Sequence, residues 1–127
     1  MLSEEFVLLD VKAESFSEVC DVMVARLVDR GVVREADATQ LVEKILARED
    51  AASTAIGQGA MCPHAFVDSL KRPVILFARM TPPLDVNAPD GSPADLVFLL
   101  VGQKKDARGH LESLMQLSRL IQDGSFR

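Results

Sequence analysis

The sequence has no Trp and no Tyr, and its aromatic residues are six Phe among 127 positions. The stacking platforms on which single-stranded nucleic acids lie are therefore missing. Positive charge is also scarce. Lys and Arg number 14 against 19 Asp and Glu, a net charge of -5, which leaves no cationic surplus to displace counterions from a phosphate backbone and argues against a nucleic-acid partner. Two cysteines, Cys20 and Cys62, do not make a disulfide scaffold and are ordinary free thiols of a reducing compartment. Long apolar runs are absent too. The longest, Leu96 to Val101, falls far short of the roughly 20 residues needed to span a bilayer. The start at Met1 lacks a basic segment followed by an apolar one, so the expected location is the cytoplasm, without membrane insertion.

What is present is 48% hydrophobic and 26% charged residues, the balance of one globular domain. A chain of this size buries roughly two-thirds of its unfolded surface and needs no staple. The run Phe6 to Val11 is rich in Val and Leu. Ser15 stands three residues before Glu18, the spacing of a capping box, which predicts a helix from about Phe16. Val19, Cys20, Met23, Leu27 and Val28 form its buried stripe, and Gly31 is placed for a left-handed C-terminus. A second amphipathic helix is expected from about Glu35 to Arg48, with Ala38, Leu41, Val42, Ile45 and Leu46 inward and Glu43 and Lys44 among the polar positions.

Residues Ala51 to Ala60 then read as a loop containing Gly57 and Gly59, with Met61 and Cys62 ending a short strand. Val74 to Met80 and Leu96 to Val101 are nearly uncharged runs suited to central strands covered on both faces. Between them Pro82, Pro83, Pro89, Gly91 and Pro93 forbid a continuous helix or central strand over Thr81 to Ala94. Leu111, Leu114, Met115, Leu117, Leu120 and Ile121 mark a third helix. The order predicts an α/β domain whose mixed sheet packs between helices. The chain stops soon after the third helix, and the natural protein is expected to continue beyond Arg127.

The residues suited to chemistry are few. His64 and His110 both lie at expected element edges. A neutral imidazole is a nucleophile near neutral pH, and His64 is the best candidate for one. A lone histidine is more often an idle surface or loop residue. Arg48 closes the second helix, where its guanidinium can either serve the C-terminal dipole or hold a phosphoryl group over the glycine loop. Ser53 and Thr54 are hydroxyl donors or turn residues in the same loop. Gly57 and Gly59 fit neither nucleotide fingerprint. Cys62, His64 and His110 have no zinc-site spacing, and Cys62 reads as a small buried hydrophobe.

Taken together, Arg48-Glu49, Ser53-Thr54-Ala55-Ile56-Gly57 and Gly59-Ala60-Met61-Cys62-Pro63-His64-Ala65 resemble the phosphorylation-site region of fructose/mannitol type IIA domains of the bacterial phosphoenolpyruvate-dependent phosphotransferase system. Leu8 to Ala13, Ala88-Pro89-Asp90-Gly91 with Pro93 and Leu96 to Leu100, and His110-Leu111 with Leu114, Leu117 and Leu120 extend the resemblance over essentially the whole chain. It implies one EIIA type-2 domain over residues 1–127, a three-layer α/β/α sandwich with a mixed β-sheet. It further implies that His64 accepts a phosphoryl group from a histidine-containing phosphocarrier protein and passes it to a IIB domain, with Arg48 and His110 beside it and Thr54 as a further phosphoryl contact. No cofactor and no metal are implied. The nitrogen-regulatory branch of the family, where phosphorylation selects partners, and a silent, non-enzymatic domain of a transporter are the alternatives. The sugar is recognised elsewhere in such systems. Two departures stand out. Ala55 occupies a position commonly held by Gly, which predicts strain if that backbone requires positive φ, and Cys62 replaces an aliphatic residue before Pro63.

Overall fold

The computed structural model describes residues 6–51, 53–57, 59–67, 70, 73–86, 91, 93–103, 112, 116 and 119. Strand β1 (Val7–Lys12) leads into helix α1 (Phe16–Asp29). The Ser15 side chain accepts from the Glu18 N–H at 3.2 Å, while the Glu18 carboxylate accepts from the Glu14 N–H at 3.1 Å. The capping box thus closes one residue earlier than its usual reciprocal form. At the other end Gly31 takes φ +73°, its N–H donates to Val28 O and the Val32 N–H donates to Leu27 O. This is the paired bonding of a Schellman motif, and only the left-handed residue lets the chain reverse to make it.

A single 3-10 turn (Glu35–Asp37) precedes helix α2 (Ala38–Ala51), which runs three residues past the expected end at Arg48. Three short strands follow, β2 (Ala55–Gly57), β3 (Ala60–Met61) and β4 (His64–Phe66), then two long ones, β5 (Val74–Leu84) and β6 (Ala94–Gly102). The expected loop therefore contains β2. A strand of three residues is too short to show an alternating period, so composition alone reads β2 as loop. Strand β5 also passes through Pro82 and Pro83, beyond the expected end at Met80. This becomes compatible with missing N–H donors because Thr81, Pro82 and Pro83 are exposed and the β5–β6 register breaks between Arg79 and Leu84.

The sheet order is β1-β5-β6-β3-β2, with β4 also on β6. Strands β1 and β5 are parallel, β5 and β6 antiparallel, β3 and β4 parallel to β6, and β2 antiparallel to β3. The sheet is mixed, as expected for the α/β class. Along β6, Val97, Leu99 and Val101 join the core that contains Val19, Met23 and Leu27 of α1 and Leu41 and Ile45 of α2. Leu96, Phe98 and Leu100 alternate onto the opposite face with Ile75 and Phe77, and both sets are buried. Burial on both faces is why these runs are continuously apolar, and it places the sheet as the middle layer. Glu112, Gln116 and Arg119 are helical and exposed, at spacings that mark one outward helix face. The rest of the expected third helix lies outside the described residues.

Strands β3 and β4 are two parts of one path along β6. Ala60 pairs with Leu96 and Met61 with Val97, then His64 with Leu100, Ala65 with Val101 and Phe66 with Gly102. The register is the same on both sides of Cys62 and Pro63. Pro63 has no N–H to give, yet its carbonyl accepts from the Leu100 N–H at 3.0 Å, so the proline interrupts the strand without shifting it. His64 is thereby fixed, in register, beside the most buried strand of the sheet.

Candidate functional site

His64 opens β4 and is half-buried, whereas the next residue, Ala65, turns into the core shared with α2. That core contact brings the last turns of α2 alongside β4. Lys44 and Arg48, one helical turn apart, line the same surface cavity as His64, Ala65 and Phe66, with a volume of about 420 Å³. The Lys44 Nζ donates to the Phe66 carbonyl at 3.3 Å, a bond between helix and strand. The cavity therefore gathers two cations around one imidazole, a setting for an anion.

The imidazole is oriented by its own strand. His64 Nδ1 meets the Cys62 carbonyl at 3.4 Å. A carbonyl can only accept, so this contact assigns the proton to Nδ1 and the lone pair to Nε2. Behind Cys62 the bonding continues. The Cys62 N–H donates to Thr54 O at 3.2 Å, and the Thr54 N–H donates to the Glu49 carboxylate oxygens at 3.1 and 3.3 Å. The Thr54 hydroxyl donates to the same carboxylate. Glu49, one position after Arg48, thus leaves the cation face of α2 and anchors the loop from which the strand carrying His64 is hung.

Arg48 and His64, both singled out in the sequence, share one cavity. The Thr54 hydroxyl points its hydrogen at Glu49. Ser53 donates to Val86 O at 2.5 Å and accepts from the Ala55 N–H at 3.1 Å, the turn role that its type allows. His110 lies outside the described residues. The strain expected at Ala55 does not arise: Asp10 is the non-glycine residue with positive φ among those described, and Ala55 pairs with Met61 in β2 as ordinary extended backbone. Cys62 is 4% exposed, and burial, with the Glu49 charge second, pushes its thiol up to about 11. It is protonated and inert at neutral pH, as a small buried hydrophobe should be.

Lys44 is the site residue that the helix reading left among the outward polar positions. Its spacing of four from Arg48 was the available signal, but which strand that face meets is decided only by tertiary packing.

A family model described as "Phosphoenolpyruvate-dependent sugar phosphotransferase system, EIIA 2" matches residues 1–127. The chain belongs to that family. It is 35% identical over 121 residues to the fructose-specific EIIABC component of the phosphotransferase system of Bacillus subtilis, which covers 95% of this chain and 19% of that protein. It is 40% identical over 81 residues to a nitrogen regulatory protein of Bradyrhizobium diazoefficiens, covering 64% of this chain and 53% of that protein. The chain thus spans between a fifth and about half of these relatives. Among solved structures, the nitrogen regulatory protein IIA-Ntr of Neisseria meningitidis superposes with a TM-score of 0.81 at 29% identity, over 93% of this chain and 79% of that one.

Proposed function

We propose that this domain is a cytoplasmic phosphoryl carrier in which His64 accepts a phosphoryl group from a histidine-containing phosphocarrier protein and delivers it to a IIB component. The observation that carries the reading is that His64 and Arg48 line one cavity. In the transfer, the Nε2 lone pair of His64 forms the new N–P bond while the donor's N–P bond breaks and leaves its electron pair on the donor nitrogen. The proton on Nδ1 stays at the Cys62 carbonyl. A donor imidazole protonated on its other nitrogen leaves as a neutral ring, so protons and charge balance. Negative charge spread over the three phosphoryl oxygens is met by Arg48, whose planar fork can engage two of them. His110 is assigned a hydrogen bond to the same group. Thr54 enters as a member of the bonded path that ends at His64.

Positioning supplies most of what such a transfer requires. Two nitrogen nucleophiles of similar basicity exchange the group with little net driving force, so the gain comes from alignment, fixed positive charge and exclusion of water when two proteins close over it. A strand in fixed register with β6 is a rigid mount for the acceptor.

Kinship to nitrogen regulatory proteins favours a second reading, in which the same phosphorylation sets which protein the domain binds. Intact-mass analysis after incubation with phosphoenolpyruvate, the first enzyme of the system and its phosphocarrier tests both. Wild type should gain one acid-labile phosphoryl group and His64→Ala none. No gain by wild type, with a family member labelled in parallel, contradicts both and leaves a domain that only binds. Partner capture by the phosphorylated and unphosphorylated forms then separates transport from regulation: partners that change with phosphorylation favour the regulatory reading.

A further inference from the structure

We propose that Lys44 is a second phosphoryl-binding cation of this site, completing with Arg48 a two-cation cradle for the group on His64; this rests on the phosphoryl-carrier reading. Lys44 and Arg48 sit four residues apart on α2 and both line the cavity that holds His64. Like charges at that spacing repel and destabilise a helix. The positions three and four residues from Lys44 are Gln40, Leu41, Ala47 and Arg48, so no carboxylate of its own helix faces Lys44 at those spacings. Among the described residues no carboxylate pairs with Lys44; its partner is the Phe66 carbonyl at 3.3 Å.

That bond has a geometric consequence. Phe66 follows His64 by two residues on β4, so the carbonyl that holds Lys44 lies roughly 7 Å along the strand from that of His64. Anchoring the ammonium at the Phe66 carbonyl tethers a long, flexible side chain beside His64 and uses one of its three N–H bonds. The other two are available for phosphoryl oxygens. The dianionic group brings the Lys44 ammonium a negative charge that no described carboxylate gives it, so the attraction is strongest once transfer is under way.

The test measures the rate of phosphoryl acceptance by wild type, Lys44→Met and Lys44→Arg from two donors, the phosphorylated phosphocarrier protein and phosphoramidate. In the small donor the P–N bond breaks and ammonia leaves, and no protein docking is involved. Lys44 is exposed, so both variants should fold and melt like wild type. We expect Lys44→Met to be slowed about 10-fold with both donors, as for loss of one charge-stabilising contact, and Lys44→Arg to retain most of the rate. Equal rates for Lys44→Met and wild type would overturn the assignment. So would a Lys44→Arg variant as slow as Lys44→Met, because charge would then not be what matters, or slowing with the protein donor alone, which would make Lys44 a docking residue. Wild type that takes no label from either donor defeats the carrier reading and the assignment with it, whereas labelled wild type with an indifferent Lys44→Met defeats the assignment alone.

Discussion

At the scale of single residues, His64, Arg48 and Lys44 line one cavity, and the Lys44 ammonium donates to the Phe66 carbonyl two residues beyond His64. His64 was legible as the candidate acceptor because Pro63 before it and Ala65 after it, with Arg48 upstream and His110 downstream, resemble the family's phosphorylation-site region. Arg48 was legible as a helix-end cation, and the structure turns it from solvent to the cavity of His64. Lys44 and Thr54 were harder. Lys44 shares its polar character with Gln40, Glu43 and Asp50 among the outward positions on α2, and Thr54 commits its hydroxyl to Glu49, a partner five residues back that loop composition does not reveal. The contribution of Arg48 can be measured by substitution. Arg48→Ala should slow phosphoryl acceptance by roughly 100-fold, and Arg48→Lys by about 10-fold because it keeps the charge but loses the planar fork. Equal slowing of the two variants would assign the effect to the planar fork and not to charge, and an Arg48→Ala rate equal to wild type would remove Arg48 from the site.

At the scale of elements, periodicity and end signals decide what can be read. Both described helices announced themselves through three- and four-residue apolar steps, and α1 also through its two ends. The ends differ in energetic character. Ser15→Ala removes a cap bond and should cost about 1 kcal/mol. Gly31→Ala meets no steric obstacle, since a Cβ there finds nothing within 4 Å, yet it would hold an L-residue at φ +73°. It should therefore cost roughly 1–2 kcal/mol purely through the backbone. Urea denaturation of both variants checks this, and a neutral Gly31→Ala would mean that the chain leaves the helix by another route. Of the short strands, β3 was legible only as the end of a short strand at Met61, and β2 and β4 were not legible as strands, because two or three residues show no period and their identity comes from β6 and from one another. The same holds for the far end of β5, where sequence rules about proline correctly forbid a central strand but permit an exposed, irregular continuation.

The whole molecule shows the same division. Its class followed from the order of a strand, two helices, two uncharged runs and a third helical pattern, while the order β1-β5-β6-β3-β2 did not, because pairing is a choice among partners that all offer apolar faces. What the order accomplishes is to put β6 between β5 and the β3–β4 path, so that the most buried strand holds His64. Phe98 lies on β6, fully buried, with its ring centroid 5.1 Å from that of Phe77. Phe98→Ala should cost about 3–5 kcal/mol, a large part of the 5–15 kcal/mol typical of a whole domain. A loss below about 1 kcal/mol in urea denaturation would show that this face of the sheet is not a true second core. The central claim is that the fold presents one particular nitrogen, Nε2 of His64, because Nδ1 is held at the Cys62 carbonyl. Long-range proton–nitrogen NMR of the ¹⁵N-labelled, phosphorylated domain reads directly which ring nitrogen carries phosphorus. Phosphorus bonded to Nε2 of His64, with Nδ1 protonated, is the predicted result; phosphorus on Nδ1, or on any other residue, would contradict the account.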